Sequence, residues 1–392
     1  MGEVPSPTVA PTIRTETAQG LEAGFTQRLD DLPEVTAATA DRPRLERSGG
    51  VHVRGLDGYR ALAALFVLTT HVSFTTGVFA YAPLGAMMSR LDIGVTVFFV
   101  LSGFLLYRPW SVAAMTGRSA PGNRRYAWRR ATRILPAYWA VIVVTLLVLP
   151  EIRPVSFHTW WAHLGLLQIY ASDGPVEGLT QTWSLATEVS FYIALPVIAW
   201  LATRRHRGDA DRSARHQLLV IGALAVVGVG YQLVHVVGPL AQVKTSGYWL
   251  PGYLDWFAAG MTLAVISSRL SISTDAPGAA SALVRRLTVA ASFGRDTWTC
   301  LALATAAFVI VCTPVGGGYG FDALTPWSAL VRHFLYSVAA TAFLAPAMLA
   351  VDSSGAWHRF ISHPVMRYLG RISYGIFLWH LMLLRLLLPV TG

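Results

Sequence analysis

Nine mostly apolar stretches, each about 20 residues long, recur along this chain, and at about 1.5 Å per helical residue that length crosses a hydrocarbon core about 30 Å thick. Inside hydrocarbon the backbone finds no water to bond, so a spanning segment must be a helix or a strand of a closed barrel, and barrel strands need only about 10 residues. The stretches fall near residues 58–80, 91–108, 134–150, 181–202, 217–238, 247–266, 297–313, 327–350 and 371–389. The fold class expected is therefore all-α, a polytopic transmembrane helical bundle of about nine spans. Composition agrees: 54% of the 392 residues are hydrophobic and 13% charged, about half the charge a soluble domain carries.

The net charge of +10 raises the question of an anionic partner, and its placement answers it. With residue 54 taken as cytoplasmic, 23 arginines fall in inner segments, whereas the outer loops hold only Arg90, Arg153 and Lys244. That asymmetry is the positive-inside pattern, so the charge orients the chain in the cell membrane with its N-terminus cytoplasmic, and no nucleic-acid partner is expected. Residues 1–50, rich in Pro, Thr and Ala without apolar periodicity, are expected to be a disordered cytoplasmic tail without a signal peptide. Residues 51–392 form the membrane domain. The stretch from His158 to Tyr170 is aromatic and too short to span, which suits an interfacial or re-entrant segment. Cys300 and Cys312 are about 18 Å apart on one helix, too far for a disulfide, and no metal site is expected.

Ionisable residues inside spans are costly and usually functional. Arg60 and His71 in the first span are separated by eleven residues, so they share one face, about 20° apart in azimuth and about 16 Å apart in depth. Arg60 sits at the cytoplasmic edge and His71 deep inside. Glu188, the one Glu within a span, and Asp255 come out at a depth similar to that of His71, which suggests a single polar chamber in the outer half of the membrane. Asp255 is also read as a carboxyl that pairs with an Arg or a hydroxyl to hold helices together. Gly94, Ser102 and Gly103 would permit close helix approach. Arg130 and Arg133 open a helix at a spacing suited to bidentate phosphate binding, although without further context positive-inside anchoring at anionic lipid is the favoured reading. His380 is expected to be a structural hydrogen-bonding residue. His52 and Asp57 have an H-x4-D spacing, but so do His206 and Asp211, so that match carries no weight.

Taken in order, these segments resemble the integral-membrane acyltransferase family 3, bacterial sugar and macrolide O-acyltransferases. The resemblance rests on Leu56-Asp57-Gly58-Tyr59-Arg60, Arg60-x10-His71, Phe98-Phe99-Val100-Leu101-Ser102-Gly103-Phe104 and Arg130-x-x-Arg133. It continues with Trp183-Ser184-Leu185 with Glu188, and Ile372-Ser373-Tyr374 with Trp379-His380. It implies acyl-CoA as donor, with Arg60 and His71 essential and the two later arginines important. It also implies a tenth span, which is expected to be missing here.

The reading that follows is a membrane-bound O-acyltransferase moving an acyl group, acetyl in the expected case, from cytoplasmic acyl-CoA to a hydroxyl of a glycan, glycolipid or macrolide-type acceptor. Acyl-CoA is a co-substrate, and no cofactor is bound permanently. Its phosphates would dock on Arg60, Arg130 and Arg133, and its arm would run up the first span to His71. There His71 acts either as general base, with Glu188 orienting the imidazole, or as a nucleophile forming an acyl-imidazole. The alternative is a proton-coupled exporter or flippase of an envelope precursor, since Arg, His and Glu inside spans also make proton relays.

Overall fold

The computed structural model describes residues 1–2, 55–81, 83–272, 281–318, 325–349 and 355–388. Apart from its first two residues, the expected tail of residues 1–50 lies outside them, as does His52. Among the described residues every regular element is helical. Short 3₁₀ turns punctuate thirteen α-helices: α1 (Leu56–Thr76), α2 (Leu84–Ser89), α3 (Ile93–Met115), α4 (Asn123–Val148), α5 (Phe157–Leu164), α6 (Thr182–Thr203), α7 (Ala210–Val237), α8 (Leu254–Leu270), α9 (Ala282–Arg295), α10 (Thr297–Val311), α11 (Pro326–Leu349), α12 (Ala356–Ile361) and α13 (Pro364–Leu387).

A helix lies at each of the nine expected spans, but their capacity to cross a membrane differs. Five segments among the described residues are long and apolar enough: Leu84–Met115, Asn123–Val148, Thr182–Thr203, Ala210–Val237 and Pro326–Leu349. The pair α9 and α10, bent by 73° at Asp296, would make a sixth. The expected count of nine spans is thus not confirmed by length and composition. The helices that fall short explain why. α8 has 17 residues, about 26 Å. α1 and α13 carry Asp57, Arg60 and His71, and Arg367, Arg371, His380 and Arg385, on otherwise apolar helices. The His158–Tyr170 stretch forms the eight-residue helix α5, N-capped by Ser156, whose Oγ accepts from the Thr159 amide at 3.0 Å. Tyr138 and Trp139 on α4 donate to the carbonyls of His163 and Leu164, fastening the C-terminal end of α5 to α4.

Lipid is as apolar as Leu, so apolar area alone does not drive helices together, and close backbone approach takes over. α3 packs most extensively on α8, and α1 on α13. Each pairing is made by glycine against a facing carbonyl. A Cβ on Gly103 would lie 2.2 Å from the Phe257 oxygen and one on Gly260 2.0 Å from the Val100 oxygen, so α3 and α8 interlock reciprocally. In the same way a Cβ on Gly370 of α13 would lie 1.9 Å from the Asp57 oxygen, and one on Gly94 2.4 Å from the Ala63 oxygen. Stacked rings fill the space between: Phe257 lies between Phe99, at 4.6 Å, and Phe191, at 4.0 Å. A second cluster around Tyr138, Ile142, Leu185 and Leu378 joins α4, α6 and α13.

The interlock predicts that Gly260→Ala lowers the apparent melting temperature of the purified chain, an overpacking cost of about 1–3 kcal/mol. Gly222, with nothing within 4 Å of its would-be Cβ, is the control. Gly222→Ala leaves the melt unchanged or raises it, since Ala is the better helix former by about 1 kcal/mol.

Candidate active site

α1, α3, α4, α6 and α13 enclose a cleft with about 740 Å³ of space between its walls, part of it open to solvent. Arg60, Arg130, Arg133 and Arg371 line it together with Glu188, Tyr192, Ser184, Ser373 and Tyr374, and its apolar end is formed by Phe98, Phe99 and Phe377. Arg130 and Arg133 reach it from one face of α4, because three residues turn a helix by about 300°. Arg60 reaches it from the first turns of α1 and Arg371 from α13. Among the described residues none of these four guanidiniums makes an ion pair with a carboxylate. Arg60 and Arg130 are half-buried, while Arg133 and Arg371 are exposed.

Glu188 is half-buried in the wall and is held by hydroxyls: Oε1 accepts from Tyr192, one turn on, at 2.5 Å, and from Ser102 on α3. Two donors on one oxygen fix the carboxylate against α3 while it shares the cleft with the arginines. Tyr374 on α13 donates to the Ile134 carbonyl at 2.9 Å, closing the cleft between α13 and α4.

The structure brings together Arg60, Arg130, Arg133 and Glu188. It places His71 elsewhere, just past the apolar end. Phe98 and Phe377 meet edge to face at 6.1 Å, and one turn beyond Phe377 on the same helix is His380. Its Nε2 lies 3.2 Å from Nδ1 of His71, with ring centroids 4.9 Å apart. His71 Nδ1 also lies 2.8 Å from the Val67 carbonyl.

The partner expected for His71 was Glu188; the hydrogen-bonding partner observed is His380, 309 residues away in sequence. Nor do Glu188, His71 and Asp255 share one chamber. Asp255 pairs with His333 at 2.9 Å on α11, with Trp256 stacked on the imidazole at 4.5 Å. Equal depth along separate helices says nothing about azimuth, and each of the three faces a different neighbour. Sequence reasoning missed Tyr192 and Arg371 as parts of the cleft and Ser102 as a partner of Glu188. The i, i+4 spacing of Glu188 and Tyr192 was a legible signal for one of them.

Residues 53–391 match the family model described as an acyltransferase domain, that of acyltransferase family 3. The chain belongs to this family. Among curated proteins it is 27% identical over 354 residues to the putative peptidoglycan O-acetyltransferase YrhL of Bacillus subtilis, covering 86% of this chain and 50% of the relative. It is 25% identical over 366 residues to the peptidoglycan O-acetyltransferase OatA of Listeria monocytogenes, covering 88% and 52%. The O-acetyltransferase OatA of Staphylococcus aureus is 22% identical over 369 residues, covering 87% and 52%. The chain thus spans about half the length of these relatives. No solved structure matches it.

Asp255, 9% exposed and with Oδ1 buried and unpartnered, acts as a helix tie. His333→Leu therefore lowers the melting temperature, at a cost on the order of 3 kcal/mol, the scale for stranding one member of a buried pair. Pyrophosphate, as a test anion for the arginine cleft, still stabilises that variant as it does the unaltered chain. An unchanged melting temperature would remove the tie.

Proposed function

We propose that this membrane protein transfers an acyl group, acetyl in the simplest case, from acyl-CoA at the arginine cleft to a hydroxyl of a glycan, glycolipid or macrolide-type acceptor approaching from the opposite side. The observation that carries the reading is the cleft itself: α1 and α4 turn Arg60, Arg130 and Arg133 into one space, among the described residues without a carboxylate ion pair, and Phe377 at its apolar end lies one turn before the buried His380. Guanidiniums held that way suit bidentate binding of phosphates, which a CoA nucleotide supplies in number. The pantetheine arm is apolar enough to pass Phe98 and Phe377 toward His71. The cytoplasmic placement of the cleft follows from the positive-inside distribution.

In the transfer step the acceptor hydroxyl oxygen attacks the thioester carbonyl while His71 takes its proton. The carbon–sulfur bond then breaks, and the proton passes to the leaving thiolate, giving free CoA. Glu188, tied to Ser102 and Tyr192, is too committed to orient His71. Its role in this reading is to set the local charge beside Arg60, so that the cleft is not four bare cations when empty. The names of the curated relatives support O-acetylation of a glycan hydroxyl as the acceptor chemistry.

Detergent-purified full-length chain incubated with labelled acetyl-CoA and a peptidoglycan fragment should release free CoA and transfer label to the acceptor. His71→Ala lowers kcat at least about 100-fold, the usual contribution of a general base. Arg130→Ala raises KM for the donor about 10-fold, equivalent to about 1.4 kcal/mol of lost binding, with a smaller effect at high salt. Unimpaired transfer by His71→Ala would refute the role given to His71. Acceptor movement across the membrane without CoA release would instead favour an exporter or flippase.

A further inference from the structure

We propose that His380 is a positioning residue that fixes which nitrogen of His71 is basic; this rests on the reading of His71 as the proton acceptor. Both rings are constrained by carbonyls. Nδ1 of His380 lies 2.7 Å from the Phe377 oxygen and 3.2 Å from the Ile376 oxygen. A carbonyl only accepts, so Nδ1 of His380 carries the proton and its Nε2 is left with a lone pair. That lone pair points at Nδ1 of His71, which is also 2.8 Å from the Val67 oxygen. Two acceptors converge on this nitrogen. Nδ1 of His71 therefore carries a proton shared between them, and Nε2 is the nitrogen left to take the acceptor's proton. The opposite tautomer would set the lone pair of Nδ1 against two other lone pairs.

The Val67 carbonyl lies one turn back on the same helix as His71, so by itself it leaves the ring free to swing about its side-chain torsions. His380 comes from α13 and is 4% exposed. It pins the ring from a second direction and ties the orientation of His71 to the α1–α13 contact formed where Gly370 meets the Asp57 carbonyl. When His71 is protonated, Nδ1 keeps both acceptors, so the imidazolium needs no rearrangement. The pair is also a closed end for protons. The far nitrogen of His380 faces backbone carbonyls, so a proton on His71 returns to substrate and is not passed along α13.

The test uses the full-length chain, ¹⁵N-labelled at histidine, with imidazole nitrogen spectra and steady-state kinetics on the unaltered protein, His380→Leu and His380→Gln. In the unaltered chain His71 is expected to show a protonated Nδ1 and a pyridine-type Nε2. His380→Leu gives a mixture of tautomers at His71 and a kcat at least 10-fold lower, with KM for acetyl-CoA within twofold, since the arginine cleft is untouched. His380→Gln, whose amide oxygen can still accept from Nδ1, recovers a large part of the lost kcat. A single unchanged His71 tautomer in His380→Leu, or a fall in kcat that Gln does not relieve, overturns the assignment. The spectra report independently of turnover. A locked tautomer in a chain for which His71→Ala costs nothing would leave the positioning intact and remove the role of His71 as base.

Discussion

Hydrocarbon offers no hydrogen-bonding partner, so every polar group carried into it must be satisfied by the chain itself. The rest of this structure follows from that constraint. It makes the spans helical and selects glycine where backbones meet. It also explains why Tyr107 donates to Gln217 at 2.9 Å and why Thr187 reaches across to the Tyr248 carbonyl. The charged groups left without counterions are informative. Four guanidiniums converge on one cleft, and among the described residues none of them makes an ion pair, although Glu188 shares the wall. Such charges are tolerated where water reaches them, and the cleft is in part open to solvent.

The helix contacts then determine the chemistry available. Because α1 and α13 approach closely at Gly370, the histidines one on each helix come within hydrogen-bonding distance. Because α3 and α8 interlock through Gly103 and Gly260, Ser102 is presented to Glu188 on the other side of α3. Between the cleft and the histidine pair lies the Phe98–Phe377 contact, with His380 one turn beyond Phe377 on α13. In the proposed function, a donor with a charged head and a weakly polar arm would meet the arginines first and the aromatic contact second.

Hydropathy made the positions of the helices legible, and the arginine asymmetry gave an orientation. Helical periodicity put Arg60 and His71 on one helix, where the structure also has them. The three-dimensional partnerships did not follow in this way. His71 and His380 are at opposite ends of the membrane domain, and periodicity within one helix cannot report which helices are neighbours. Glu188, His71 and Asp255 looked like one chamber because depth can be reckoned along a sequence, whereas azimuth between helices cannot. Glu188 turned toward Ser102 and Tyr192, and Asp255 toward His333. The nine spans expected also proved unequal: α1 and α13, which carry Arg60, His71, Arg371 and His380, are not among the helices long and apolar enough to cross a membrane.

The central claim is that donor and acceptor meet across the membrane, with the charged head of the donor on the arginine side. The direct measurement is reconstitution of the full-length chain in sealed, orientation-selected vesicles, with labelled acetyl-CoA confined to the face bearing Arg130 and Arg133 and a glycan acceptor confined to the other. The account predicts label on the acceptor and free CoA on the donor side, with no transfer when acetyl-CoA is placed only on the acceptor side. Transfer that requires both substrates on one face, or that proceeds equally from either, would contradict it.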